Sequence, residues 1–103
     1  MPTPESKLMV RVKKRLEGRG YFVLKNHGSI FSLRGLPDLL VSSGRRHIWV
    51  ELKVPKKNVS LEDQLSPSQR VLIRDMRARK ELVYIVGDLD QLEEILEEEE
   101  SAD

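Results

Sequence analysis

The sequence predicts an α/β protein in which a central mixed β-sheet is flanked by helices, in the order α-β-β-β-α-β-α. Two segments carry helix-start signals with proline at the first helical position. Short runs rich in Val, Ile and Leu, typical of strands, separate the helical segments. At 103 residues the chain suits one core, so we expect a single domain over 1–96 and a flexible acidic tail over 97–103.

The first helix is predicted to begin at Thr3, which suits the N-cap, with Pro4 at its first position. Gly18 and Gly20 end it, and residues 21–24 form a buried strand. Residues 25–35 show no period and are expected to form a loop, of a length that often has a function. The apolar face of the helix repeats at helical spacing, at Leu8, Val12 and Leu16.

Two further strands are predicted over 37–42 and 47–54, joined by a turn at 43–46. If Ser42 pairs with His47, Asp38 lies directly opposite Glu51, with Cβ atoms roughly 4.5–5.5 Å apart. Alternation then places two sets of side chains on opposite faces: Trp49, Glu51 and Lys53 on one, and Ile48, Val50 and Leu52 on the other.

The C-terminal half is predicted to contain two helices and one strand. Residues 55–65 form a polar, basic loop, and the segment Ser66-Pro67-Ser68-Gln69 forms a capping box that opens a helix to about Arg79. Residues 82–86 form the last strand, and the last helix starts at Asp90.

The charge distribution favours a polyanionic partner. Residues 1–80 carry all 18 Lys and Arg against 7 acids, a net charge of +11, and residues 81–103 carry 10 acids. Such a basic body attracts nucleic acid. The acidic end either is a solvated tail, which we favour, or competes with nucleic acid for the basic face. The expected phosphate contacts are Lys25, Arg34, Arg45, Arg46, Lys56, Lys57 and Arg70.

Composition excludes several classes of protein. No cysteine is present, so a disulfide framework and a thiolate zinc site are excluded. No apolar run is long enough to cross a bilayer, and no secretory leader is visible. We therefore expect a cytoplasmic protein with no membrane partner.

Asp38, Glu51 and Lys53 are the strongest candidates for a functional site. A Glu-x-Lys pair alone is a weak signal in so charged a chain. Facing carboxylates repel, however, and that repulsion is hard to explain in a purely structural hairpin. A cation between them removes it, and carboxylate oxygens suit Mg²⁺ rather than zinc.

Glu5 and Gln69 each allow two interpretations. As an acid in the first helical turn, Glu5 interacts favourably with the helix macrodipole. It also lies on the core-facing side of the first helix, where it could be a metal or water ligand. Gln69 suits the capping box, yet it too heads an inward stripe. The sequence leaves both alternatives open.

Taken in order, Gly-x-Pro-Asp over 35–38, Glu-x-Lys over 51–53 and Ser-Pro-Ser-Gln over 66–69 resemble the PD-(D/E)xK nuclease superfamily. Together with the opening helix they are most similar to the small stand-alone VRR-NUC (virus-type replication-repair nuclease) domains of bacteriophages and bacteria. Archaeal Holliday junction resolvases share this core. The resemblance implies a restriction-endonuclease-like fold.

The resemblance also implies roles for individual residues. Asp38, Glu51 and the Leu52 backbone carbonyl would hold Mg²⁺, for which Mn²⁺ would substitute, and Glu5 would complete the site directly or through water. Lys53 would orient or help deprotonate the attacking water, and Gln69 would be the polar residue heading the next helix. The chain departs from the pattern at Lys7, where family members often carry a second acid.

The function implied is a Mg²⁺-dependent DNA endonuclease, selective for branched or Holliday junction DNA in replication and repair. By the same resemblance we expect a homodimer in a bacterial or phage-infected cell, with no small-molecule cofactor. Two alternatives from other classes are a non-catalytic nucleic-acid-binding module and an accessory subunit that docks on a replication or repair complex through its acidic C-terminal helix.

Overall fold

The computed structural model describes residues 2–26 and 34–101, and it contains the predicted elements in the predicted order. Of the predicted loop over 25–35, residues 27–33 lie outside the described residues. A short 3-10 turn, Glu62–Gln64, lies within the predicted loop over 55–65. The helices and strands are α1 Pro4–Gly18, β1 Phe22–Lys25, β2 Leu39–Ser42, β3 His47–Leu52, α2 Pro67–Ala78, β4 Val83–Val86 and α3 Leu89–Ser101.

The four strands form one mixed sheet in the order β1-β2-β3-β4. The first two pairs are antiparallel, and β3 and β4 are parallel, which confirms the predicted α/β architecture. The larger core cluster joins α1 and α3 to one face of the sheet, and the smaller cluster joins α2 to the other face. The sheet is therefore the middle layer of three.

Side chains at the helix starts explain where the helices begin. The Thr3 hydroxyl accepts the Ser6 N–H, and Ser66 opens α2 with both hydrogen bonds of a capping box. The Asp88 carboxylate accepts the Gln91 N–H at 2.8 Å. This cap starts α3 one residue before the predicted Asp90.

The predicted hairpin register is confirmed. Ser42 pairs with His47, and Leu39 pairs with Val50 at the other end of the ladder. Both strands are shorter than predicted, since β2 begins two residues later than position 37 and β3 ends at Leu52 rather than at position 54. Asp38 therefore lies just outside β2.

α3 runs to Ser101, so the predicted domain boundary at residue 96 lies inside this helix. Its last turns are held by contacts that are remote in sequence. Glu99 accepts a hydrogen bond from Tyr84 at 2.7 Å, and Glu100 accepts one from Tyr21 at 2.8 Å. Residues 97–101 thus form part of the helical layer, and 102–103 lie outside the described residues.

Within the described residues, the helices are too short and too polar for any of them to span a membrane.

Candidate active site

Asp38 is fixed at the open end of the β2–β3 hairpin by two backbone hydrogen bonds. Its Oδ2 accepts the Leu52 N–H at 2.8 Å, and its carbonyl oxygen accepts the Asn26 N–H at 2.7 Å. Because the β2–β3 ladder stops at the Leu39–Val50 pair, the Asp38 side chain supplies the acceptor that a longer strand would have supplied from its backbone.

Glu51 lies near the end of β3, on the face that α2 covers, and it is only 2% exposed. Its Oε2 accepts a hydrogen bond of 2.7 Å from Gln69 Nε2, and Lys53 Nζ is 3.6 Å from the same oxygen. Its Oε1 is buried and has no hydrogen-bond partner among the described residues. A buried carboxylate oxygen left free in this way can accept a cation or a water.

Both carboxylates are shifted toward their neutral forms. Burial, with the charge of Asp38 added, raises the pKa of Glu51 from 4.5 to about 7, against the opposing effects of Lys53 and Gln69. Burial also raises the pKa of Asp38, the Leu52 N–H opposes that rise, and the charge of Glu5 adds to it. The charge of Asp38 thus disfavours the ionised form of Glu51, as the register predicts, while a hydrogen bond with the Glu51 side chain lowers the pKa of Asp38.

Gln69 fulfils both interpretations that its position allows. Its Oε1 accepts the Ser66 N–H at 2.9 Å in the capping box, and its Nε2 donates to Glu51. The amide at the start of α2 thereby fixes the orientation of the Glu51 carboxylate on β3.

Gly35 brings the residues before Asp38 against the start of α2. Its φ is +89°, and a Cβ atom built there would lie 2.6 Å from the Ser68 carbonyl oxygen and 2.9 Å from the Gln69 nitrogen. Only glycine tolerates both the conformation and the approach. Gly35 belongs to the predicted Gly-x-Pro-Asp motif, but its contact with α2 was not predicted; a glycine two residues before Pro-Asp is the sequence signal for it.

Glu5 lies at the edge of the site. It is exposed in the first turn of α1, on the side that faces the sheet, and its charge reaches Asp38. Within 2–26 and 34–101, however, no group of three or more His, Cys, Asp or Glu side chains is close enough to hold a metal ion. Glu5, Asp38 and Glu51 are thus not gathered into a cluster of three carboxylates, and Asp38 and Glu51 are the two that interact closely.

This donor set fits a hard divalent cation. Two carboxylates flank each other, one buried Glu51 oxygen has no hydrogen-bond partner among the described residues, and Lys53 lies beside Glu51. Mg²⁺ commonly uses one or two carboxylates and retains several waters, so it does not require a third acid.

The predicted phosphate contacts fall into three groups. Lys25, at the end of β1, pairs with Leu39, and Arg34 lies four residues before Asp38, so both are near the open end of the hairpin. Lys56 and Lys57 follow β3 in the chain. These four cations form no ion pair within the part of the chain that the structure describes. The other predicted contacts are placed elsewhere, Arg45 and Arg46 in the hairpin turn and Arg70 on α2.

Two of those other contacts are engaged by acids. Arg46 Nε lies 3.1 Å from Glu99 Oε2, and Arg70 lies 3.7 Å from the Asp63 carboxylate while it donates to the Asp63 backbone carbonyl oxygen at 3.0 Å. With strands rising about 3.3 Å per residue, the hairpin turn is some 15 Å from the carboxylate pair. The structure therefore does not bring Arg45 and Arg46 to the site.

Comparison with known proteins gives a structural match. A solved structure described as a VRR_NUC domain superposes with a TM-score of 0.70 at 28% sequence identity, covering 92% of this chain and 96% of that one. No protein-family model matches the chain, and no curated protein matches it. The chain thus resembles a VRR-NUC nuclease domain in fold and sequence over nearly its whole length, which confirms the similarity that its motifs predict.

Proposed function

We propose that this chain is a metal-dependent DNA endonuclease that hydrolyses phosphodiester bonds at Asp38, Glu51 and Lys53. One observation carries the proposal. Glu51 is buried opposite a second carboxylate, with its pKa raised to about 7 and one oxygen without a partner. Such an arrangement is costly in a structural hairpin and useful in a site that receives a cation. The likeness to a VRR-NUC domain supports the same conclusion.

Asp38, Glu51 and the Leu52 carbonyl would hold Mg²⁺, or Mn²⁺ in its place. When bound, the ion supplies Lewis-acid stabilisation of the phosphate oxygens and lowers the pKa of a bound water. The protein fixes the geometry beforehand, since the Leu52 N–H holds one carboxylate and the Gln69 amide holds the other.

Lys53 would act on the water and on the developing charge. Its side chain is mostly buried, with 21% exposed, and its ammonium nitrogen lies 3.6 Å from Glu51 Oε2. From that position it can orient the attacking water and assist the loss of that water's proton. It can also offset the negative charge that develops on the phosphate. Glu5, which is exposed at the rim, would act through a water.

DNA would be held mainly by its backbone. Lys25, Arg34, Lys56 and Lys57 are exposed and unpaired within the described residues. Contacts of this kind carry no base information, so binding should be steeply salt-dependent and led by the shape of the substrate. We propose branched DNA of replication and repair as that substrate. Cutting both strands at a junction needs two sites, which a homodimer would provide.

The test is to incubate the protein with branched, flapped and linear DNA, with Mg²⁺, with Mn²⁺ or with EDTA. We expect strand cleavage that requires metal and is fastest on branched DNA. Lys53→Ala and Asp38→Asn should abolish it while DNA binding persists. Absence of cleavage with both metals would overturn the enzyme, and cleavage that survives both substitutions would overturn the site. Sedimentation of the free protein then tests the homodimer.

A further inference from the structure

The two basic sides of α1 differ in whether acids neutralise them. Arg15 and Arg19 are ion-paired with Glu93 of α3, and Arg19 also pairs with Glu100 at 2.9 Å. The remaining cations on the outer side of α1 are exposed and enter no ion pair within residues 2–26 and 34–101; these are Lys7, Arg11 and Lys14.

Lys7, Arg11 and Lys14, here named the α1 stripe, lie at i, i+4 and i+7 and therefore on one face of the helix. With a rise of 1.5 Å per residue the stripe spans about 10 Å. Two or three consecutive nucleotides of one strand cover a similar length along the helix axis. Three free charges at this spacing match a nucleic-acid backbone.

The stripe continues into a groove between α1 and the start of α3. Gly18 is next on the same face, and a Cβ atom built on it would meet nothing within 4 Å, so no side chain closes the path. The groove has a volume of about 510 Å³ and is lined by Arg11, Lys14, Arg15, Gly18, Arg19 and Leu89. Arg11 and Lys14 are the basic residues of this lining that no acid neutralises within the described residues, since Arg15 and Arg19 are ion-paired.

We propose that the α1 stripe binds the phosphate backbone of a second arm of branched nucleic acid, while a first arm occupies the carboxylate site. This proposal rests on the proposed function. Glu5 and Lys7 are two residues apart and so lie about 160° apart around the helix. The charge of Glu5 is close enough to raise the pKa of Asp38, and the stripe consequently starts near the site but points away from it. A duplex that contacts the whole stripe runs along the outside of α1 and is a separate arm.

The occupant is a polyanion rather than a membrane surface. A helix that binds in a membrane interface inserts an apolar face. The apolar face of α1 is already buried in the protein core through Leu8, Val12 and Leu16. A contact with a nucleic-acid backbone needs charge alone, so the α1 stripe suits it without an exposed apolar face.

The test compares two double substitutions that each remove two positive charges. Arg11→Gln/Lys14→Gln removes part of the stripe, and Arg79→Gln/Lys80→Gln removes charge from the far end of α2. Binding to a four-way junction and to a linear duplex of equal length is measured in EDTA between 50 and 200 mM salt. We expect the stripe variant to lower the slope of log affinity against log salt by about 2 for the junction.

The same variant should leave the slope for the linear duplex nearly unchanged, and the α2 variant should leave both slopes nearly unchanged. Equal losses on both substrates, equal losses from both variants, or no loss would each overturn the second-arm proposal. Binding without EDTA-sensitive cleavage by the wild type would overturn the enzyme alone, because junction binding through the stripe would still be measured. Circular dichroism confirms that the exposed substitutions leave α1 folded.

Discussion

The two ends of the β2–β3 hairpin treat charge in opposite ways. At the turn end, the Arg46 guanidinium pairs with Glu99, which also accepts the Tyr84 hydroxyl. At the open end, Asp38 and Glu51 face each other, both with raised pKa values, and Glu51 Oε1 has no hydrogen-bond partner among the described residues. Glu99 Oε2 at the turn end also lacks a hydrogen bond there, but the Arg46 guanidinium lies 3.1 Å from it. One end has been stabilised by complementary charges, and the other retains repulsion.

This difference indicates which end is built for a ligand. Charges that are paired inside the protein stabilise the fold and are not available to anything else. Like charges that face each other on rigid elements reduce stability, and they persist where a function requires them. On the proposed function, the open end would carry catalysis and the turn end would contribute structural stability, and substitutions at matched positions can test this.

The largest expected effect comes from Glu51→Gln at the open end. Gln is nearly isosteric and keeps a carbonyl oxygen, but it removes the charge that would hold the cation. We expect cleavage of branched DNA to fall by about 10²–10⁴-fold, as for loss of a principal catalytic group. A fall of less than about threefold under single-turnover conditions would show that the carboxylate pair is not the catalytic centre.

The same substitution should change how stability depends on pH. Between pH 4.5 and about 7, Glu51 ionises in the unfolded chain but stays largely protonated in the folded one, so the unfolded state binds fewer protons and stability falls as pH rises. Without metal we expect a loss on the order of 1–3 kcal/mol across this range, after allowance for partial solvent screening. In Glu51→Gln the loss should be smaller, and Mg²⁺ should restore the wild type above pH 7. Urea titrations at pH 5 and pH 8 measure it.

Gly35→Ala and Gly44→Ala compare the two ends at glycines with similar backbone angles, +89° and +91°. Both substitutions cost about 1–2 kcal/mol for the left-handed conformation. At Gly35 the new Cβ also meets the Ser68 carbonyl oxygen at 2.6 Å, whereas at Gly44 it meets nothing within 4 Å. We expect Gly35→Ala to cost a further 1–3 kcal/mol or so and to slow cleavage. Equal melting temperatures and rates for the two variants would contradict this.

The sequence could predict what depends on local signals. The four-residue turn at 43–46 set the pairing of Ser42 with His47 and hence the position of Asp38 opposite Glu51. Thr3 and Ser66 marked their helix starts because a capping side chain acts within three residues. These features need no knowledge of the rest of the molecule.

The features that escaped prediction depend on distant partners. The run Glu97–Glu100 was expected to be a solvated tail, since nothing nearby neutralises it, but Arg19 and Tyr21 hold it from about eighty positions away. The approach of Gly35 to α2 is likewise set by packing between elements 33 residues apart. The peripheral position of Glu5 depends on where α1 begins relative to the sheet.

Gln69→Ala and Ser66→Ala separate the two roles of the α2 start. Each removes half of the capping box and should cost about 1 kcal/mol of stability. Only Gln69→Ala also leaves Glu51 without its 2.7 Å hydrogen bond. We expect Gln69→Ala to cost about 1–2 kcal/mol more than Ser66→Ala, because it leaves the buried Glu51 carboxylate short of a donor. Cleavage should be reduced about tenfold in Gln69→Ala and should stay within twofold of wild type in Ser66→Ala. Equal rates for the two variants would remove Gln69 from the site.

The smallest effects are expected at the turn end, from Tyr84→Phe and Tyr21→Phe. Both hydroxyls donate to α3 carboxylates, and burial raises the pKa of each phenol to about 12, so both remain protonated donors at neutral pH. Only 10% of the Glu99 side chain is exposed, against 46% of Glu100. Losing the Tyr84 hydroxyl therefore leaves a buried carboxylate short of a donor and should cost about 1–2 kcal/mol, while Tyr21→Phe should cost under about 1 kcal/mol.

Thermal melts measure both stability losses. Cleavage rates within twofold of wild type are expected for both variants, because neither hydroxyl contacts Asp38 or Glu51. A large loss of cleavage in Tyr21→Phe would contradict the assignment of a purely structural role to the turn end of the hairpin.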